Sequence, residues 1–241
     1  MYNLLISAVT AVVAFLVLKL VAGLSVWIAM PVSLAVFLGA FYSLSRFIMK
    51  KVMEIVETAS RDLQAQRVDK AIKVLHSALP YGKWQIYVDG QINAQIGMIY
   101  YMKRDFGAAF PYLEKGFFKN WVAMGMLAVT YMKRNRKDKM IQTFEKAVQG
   151  SPKESLLWNL YAYCLVETGD AEKAKETLEK GLKKMPGDEK LTANLEALRE
   201  GKKMKMKNYG EMWLQFHLEK PGAVMKQQAA AMGMRRRIIR K

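Results

Sequence analysis

The chain has 241 residues, a formal net charge of +17 from 38 Lys and Arg against 21 Asp and Glu, and one cysteine. That length fits one domain of ordinary size with appendages, and a lone cysteine excludes an internal disulfide framework, so a reducing compartment suits it. The charge excludes no fold but implies anionic neighbours: lipid headgroups, nucleic acid or an acidic protein.

From Tyr2 to Ile48 the sequence is predominantly apolar, and Lys19 and Arg46 are its only charges. Two segments, about Asn3 to Leu20 and about Val26 to Ile48, each approach the roughly 20 helical residues that cross a bilayer. Gly23, Leu24 and Ser25 leave room only for a tight turn, so residues 1–49 are expected to form a transmembrane helical hairpin. Met-Tyr-Asn carries no positive side chain of the kind that opens a secretory signal, and no persuasive small-x-small cleavage site separates the segments. Cleavage, or a first segment that dips in without spanning, are the alternatives. Arg46, Lys50 and Lys51 flank the second segment, whereas Lys19 alone marks the turn. The positive-inside tendency then puts both termini in the cytoplasm, with Lys19 snorkelling to the headgroups. A bacterial cytoplasmic membrane suits this compact plan, as would an organelle membrane facing the cytosol. Ser7 and Ala11 in the first segment, and Ala35, Gly39 and Ser43 in the second, recur at four-residue spacing. Such small residues let two helices approach closely, either the two spans or a span and another membrane protein.

No glycine or proline lies between Gly39 and Pro80, so the second span is expected to run on through Met53–Val56 into the next helix. Gln64 to Asp69 is the first expected turn, with Asp69 as helix cap.

Farther along, Glu154 to Asp188 contains two helical patterns joined at Thr168-Gly169-Asp170, a glycine for a left-handed residue and an aspartate to cap the second helix. Ala162, Ala174 and Gly181 are small where the helices must touch, and Trp158, Tyr161, Leu165, Leu178 and Pro186 complete the pattern. The same residue classes return earlier as Leu127, Ala128, Tyr131, Phe144, Ala147 and Pro152, with Met140 at a usually small position and Asn135 opposite Gly169. They return again, with a shorter join, as Ile96, Gly97, Tyr100, Ala109, Leu113 and Gly116, and more weakly as Ala71, Leu75 and Ala78. The unit resembles a tetratricopeptide repeat (TPR), a helix-turn-helix of about 34 residues. It departs from that pattern at Tyr161, usually Leu, and Leu165, usually Tyr.

The resemblance covers roughly residues 52 to 188 and implies an all-α fold. Residues 50–200 would form a TPR-type α-solenoid of three to four repeats with a capping helix that carries Leu191, Leu195 and Leu198 on one face. In this family the first helix of each pair lines a concave surface that usually binds peptides. Carried onto this chain, those positions are Gln91, Met98, Tyr101 and Met102, then Val122, Val129, Met132 and Lys133, then Asn159, Tyr163, Val166 and Glu167. The paired Lys, Arg and Asn with which the family clamps a C-terminal carboxylate are not assembled among them. The lining is apolar and methionine-rich, which suits an amphipathic helix or hydrophobic strip of a protein partner. The chain's own C-terminal segment is the competing occupant.

Residues 201–241 carry seven Lys and four Arg against Glu211 and Glu219, the composition of a basic helical or disordered tail. Within it, Tyr209, Met212, Trp213 and Phe216 would share one helical face, either packed back on the repeats or laid in the lipid interface. Arg235, Arg236, Arg237, Arg240 and Lys241 offer contacts to anionic lipid or RNA, with little aromatic interleaving to stack bases.

His76, His217 and Cys164 lie far apart in sequence, too sparse for a zinc site or a Cys-His nucleophile, and no phosphate-cradling glycine loop occurs. No enzyme, metal or cofactor is expected. The expected function is a membrane-anchored scaffold or adaptor that recruits a protein partner to, or assembles a complex at, the cytoplasmic face of a membrane, with an oligomer or complex subunit as an open option. The alternatives are a membrane tether for nucleic acid or ribosomes through the tail, and a structural accessory subunit of a membrane enzyme complex.

Overall fold

A computed structural model describes residues 1–219, whose regular elements are all helices. The chain divides into two compact units, Met1–Ala123 and the residues from Met124 onward. The division falls inside a helix.

In the first unit, α1 (Tyr2–Leu16) continues through a π-helical turn, Val17–Val21, and the chain reverses at Gly23. Helix α2 (Val26–Gln64) then runs for 39 residues, roughly 58 Å at 1.5 Å per residue. It is therefore both the second apolar segment and the first repeat helix, as the absence of a breaker after Gly39 permits. Two helices of this unit, Tyr2–Val21 and Val26–Gln64, are long and apolar enough to cross a membrane. They leave Val9, Val12, Leu20, Val21, Trp27 and Met30 uncovered, a pattern that costs heavily in water and nothing in lipid.

The hairpin seam differs from the small-residue expectation. Ser7 is fully buried and returns its hydroxyl to the Asn3 carbonyl at 2.7 Å, but Ala35, Gly39 and Ser43 face outward. A methyl group at Gly39 would meet nothing within 4 Å. The start of α1 is fixed instead by Asn3, which donates to the Trp84 carbonyl at 3.4 Å and to Ser45 Oγ at 3.5 Å, while the Tyr2 ring meets Trp84 edge-on at 5.3 Å. The open end of the hairpin is thereby joined to the first repeat. There Ile48, Val52 and Ala59 of α2 bury against Ala71, Ile72 and Leu75 of α3 (Val68–His76) and Val88, Ile92 and Ile96 of α4 (Val88–Met102). Helix α5 (Phe106–Glu114) pairs with α4, and α6 (Trp121–Lys133) comes next.

The second unit continues with α7 (Lys137–Gly150), α8 (Ser155–Glu167), α9 (Ala171–Lys184) and α10 (Glu189–Arg199). Phe144 stacks on Tyr161 at 4.8 Å, and Gly181 lies so close to Trp158 that an added methyl would approach the indole to 2.9 Å. That contact is why a small residue recurs there.

One turn geometry punctuates both units. Gln66, Arg104, Asn135, Gly169 and Gly201 all adopt φ between 54° and 86°. After each, a backbone N–H reaches five residues back: Arg67 to Asp62, Asp105 to Tyr100, Arg136 to Tyr131, Asp170 to Leu165, and Lys202 to Ala197, at 2.7–3.0 Å. This closes the helix C-terminus by satisfying carbonyls that the helix leaves unpaired. The pattern exposes the repeats even where glycine is absent from the left-handed position.

Two expected caps are replaced by ion pairs. Asp69 sits inside the first turn of α3 and takes Lys103 Nζ at 2.8 Å; Asp170, at the N-cap of α9, takes Lys137 at 2.7 Å. Neither side chain bonds the helix backbone. The Lys103 hydrogen bond holds the exposed Asp69 carboxyl below the usual carboxylate range.

Candidate partner-binding face

Helix α10 stops at Arg199, and Gly201 turns the chain back, so the basic run Lys202 to Lys207 does not prolong the helix. Residues Met206–Tyr209 make a 3-10 turn, and α11 (Glu211–Leu214) is a single turn of helix. The aromatic segment packs on the repeats: Met206, Trp213 and Phe216 are buried and Tyr209 is half-buried, whereas Met212 is exposed, so Tyr209, Met212, Trp213 and Phe216 do not share one face.

This segment covers the inner helices of the second unit. Tyr163 of α8 meets the Trp213 ring edge-on at 4.9 Å, and Trp213 Nε1 donates to Glu219 at 2.9 Å. Phe216 lies over Gly125 of α6, and Lys133 Nζ donates to the His217 carbonyl at 3.1 Å. A buried polar ladder fixes the other end. Lys205 N–H donates to Asn194 Oδ1 at 2.6 Å, Asn194 Nδ2 to Asn159 Oδ1 at 2.7 Å, and Asn159 Nδ2 to the Tyr209 hydroxyl at 2.6 Å. Ser155 Oγ shares that hydroxyl at 2.7 Å, and Lys190 Nζ stands over the Tyr209 ring at 4.4 Å. Burial pushes the Tyr209 and Tyr163 phenols up to about 12.

Several predicted groove residues are therefore not open to a partner. Asn159 and Val129 are fully buried, Tyr163 and Lys133 engage the chain's own segment, and Met132 is half-buried. Tyr101 is a core residue, fully buried with its ring edge-on to Phe106 at 4.9 Å. Glu167 remains exposed. The five basic residues Arg235 to Lys241 lie outside the described residues.

Met98 and Met102 have a different setting. In the first unit they line an apolar groove of about 560 Å³ with Val56, Ala59, Ser60 and Leu63 of α2, Val68 and Leu75 of α3, and Gln95, Ile99 and Lys103 of α4. The α2 wall escapes a reading that starts from the better repeats, because this helix looks like the tail of a membrane span. Its signal is the pairing partner implied by Ala71, Leu75 and Ala78: a second repeat helix requires a first.

Among the described residues no three His, Cys, Asp or Glu side chains gather where they could hold a metal. Cys164 is fully buried, and burial raises its thiol far above the usual range, so it packs as a small apolar group.

Comparison with protein-family models finds tetratricopeptide repeats at residues 141–198 and at residues 123–154. These matches cover α6 through α10, the part of the chain with the most regular repeats. No curated protein matches the chain. Tetratricopeptide repeats are protein–protein interaction scaffolds and in general carry no catalytic centre.

Proposed function

We propose that this protein is a membrane-anchored scaffold, with its hairpin in the bilayer and its repeats on the cytoplasmic side, that recruits a protein partner to the membrane. The observation that carries the reading is α2: one unbroken helix supplies the second apolar segment and one wall of an apolar groove in the repeats. A ligand in that groove is then held at a set height over the bilayer. Repeat arrays of this kind work by presenting such faces, and an apolar lining selects an apolar helix or strip. Basic residues at the start of the repeats, Arg46, Lys50 and Lys51, favour the cytoplasmic orientation.

The test is purification of the tagged full-length chain from membranes in mild detergent, with bound molecules identified before and after a high-salt wash. A stoichiometric protein that survives the wash is the expected result, because apolar contacts resist salt. Recovery of RNA or anionic lipid alone, removed by salt, would overturn the scaffold reading in favour of a tether through the basic tail.

A further inference from the structure

We propose that the groove of the first unit takes a short amphipathic segment of a protein in the same membrane, one that inserts a Trp or Phe side chain between α2 and α4. The inference rests on the scaffold reading and narrows it to one part of the repeats and one ligand chemistry.

The repeat register supplies the argument. Aligning Ile96, Gly97 and Tyr100 with Leu127, Ala128 and Tyr131, and with Tyr161, Ala162 and Leu165, puts Met98, Val129 and Tyr163 at one position. It puts Met102, Lys133 and Glu167 at another. In the second unit the first position seats Trp213 through Tyr163, and the other holds a backbone carbonyl of the same segment through Lys133. In the first unit these positions are Met98 and Met102, which line the open groove, Met102 with 53 % of its surface exposed. The chain thus displays on one face the kind of ligand that the corresponding face can receive. Methionine adapts its shape to an entering ring and makes favourable sulfur–aromatic contacts.

Charge narrows the occupant further. Lys103 is the only ionised side chain in the lining, and Asp69 already binds it at 2.8 Å. A charged strip would lose its water there without gaining a partner. The wall residues Val56 and Leu63 lie beyond Ile48 on α2, so at 1.5 Å per residue they stand roughly 12 and 22 Å past the apolar segment. A segment anchored in the same bilayer meets the groove at high effective concentration.

The test uses the full-length chain in lipid nanodiscs and, as probe, a fluorescent synthetic peptide of residues 205–219, KMKNYGEMWLQFHLE. The peptide is expected to bind, and the same peptide with Trp213→Ala to bind at least tenfold more weakly. Met98→Asp should weaken binding at least tenfold, and so should Met98→Trp, which fills the groove without charge and preserves the fold if the aspartate does not. Absence of binding, as when a lipid chain or a second copy occupies the groove, overturns the inference. So does binding that neither Met98 variant changes. Co-purification with the same variants separates this from the scaffold reading. A native partner retained by both Met98 variants sinks the groove assignment and leaves the scaffold. A Met98-dependent peptide with no native partner keeps the groove assignment and sinks the scaffold.

Discussion

At one position of the repeat register the second unit carries Tyr163 with Trp213 set against it, and the first unit carries Met98 in the lining of a groove that, among the described residues, no such segment covers. The backbones around the two are alike, down to the left-handed residue and the five-residue-back hydrogen bond that end each first helix. The difference lies in what covers the face. A repeat pattern determines how helices pair, but a face becomes a binding surface only where the same chain does not already fill it.

Removing the covering should have the largest effect. Trp213→Ala should cost about 3–5 kcal/mol, because it deletes a fully buried indole and leaves a cavity. Denaturant titration of the full-length chain in detergent reads this, and proteolysis should then begin at Lys202 to Lys207. Met98→Ala, at the same register position in the first unit, should cost no more than about 1 kcal/mol, as expected for a site with solvent beside it. Equal costs would mean that both faces are filled and that the contrast is wrong.

The polar ladder gives the next effect. Asn194→Ala strands the Asn159 carbonyl oxygen and the Lys205 N–H in a buried site, at about 1–3 kcal/mol. Tyr209→Phe keeps the ring under Lys190 but removes the hydroxyl that Asn159 and Ser155 share, at about 1 kcal/mol. A double-mutant cycle between positions 194 and 209 should show coupling, since Asn159 bonds both.

Much of the fold was legible in sequence for physical reasons. Small residues at Ala162, Ala174 and Gly181 record helix contacts, and a missing breaker after Gly39 forecasts one long helix. The occupancy of the face was not legible. Tyr209, Trp213 and Phe216 read as a segment packed on the repeats and also as a lipid-interface helix, because periodicity reports which residues are apolar and not what they touch. Asn159 looked like a ligand-binding side chain at a groove position, yet its bonds go to Tyr209 and Asn194 of the same chain. Tyr101 failed for a related reason: a family register names a helix face, while Phe106 in the adjoining turn decides whether that ring is covered. Asp69 and Asp170 looked like caps, but a lysine within reach of each carboxylate competes with the backbone N–H groups.

pH should load the two units differently. The folded Tyr209 and Tyr163 phenols sit at about 12, against roughly 10 when unfolded. Their contribution is complete below pH 10 and is lost as pH rises through 12. Trp213 fluorescence should report release of the covering segment in that window, and Tyr209→Phe should shrink the change. The first unit's Asp69–Lys103 pair responds at both ends: the hydrogen bond to Asp69 raises the Lys103 amine, so that part is lost at alkaline pH, and only the acid response is absent from the phenols. Asp69 is lowered by Lys103, so its contribution is present above the ordinary carboxylate range and is lost as pH falls. The pair is exposed, so the effect is small and salt-sensitive. A second unit that loosened first in acid would contradict this assignment.

The smallest effects come from two glycines whose surroundings differ. A methyl group at Gly125 would approach both Phe216 and Leu160 at 3.0 Å, so Gly125→Ala should displace the Phe216 ring, at about 1 kcal/mol. The register places Ala94 at this position in the first unit, where the methyl is accommodated and fully buried. Gly39→Ala adds its methyl to open space on the outward face of α2, so thermal unfolding should move by no more than about 0.5 kcal/mol. That quiet fold gives the Gly39 variant its use. If Gly39→Leu leaves the melting curve unchanged and a co-purifying protein still disappears, the outward stripe of Ala35, Gly39 and Ser43 holds a neighbouring membrane helix. If the partner stays, capture belongs to the repeats.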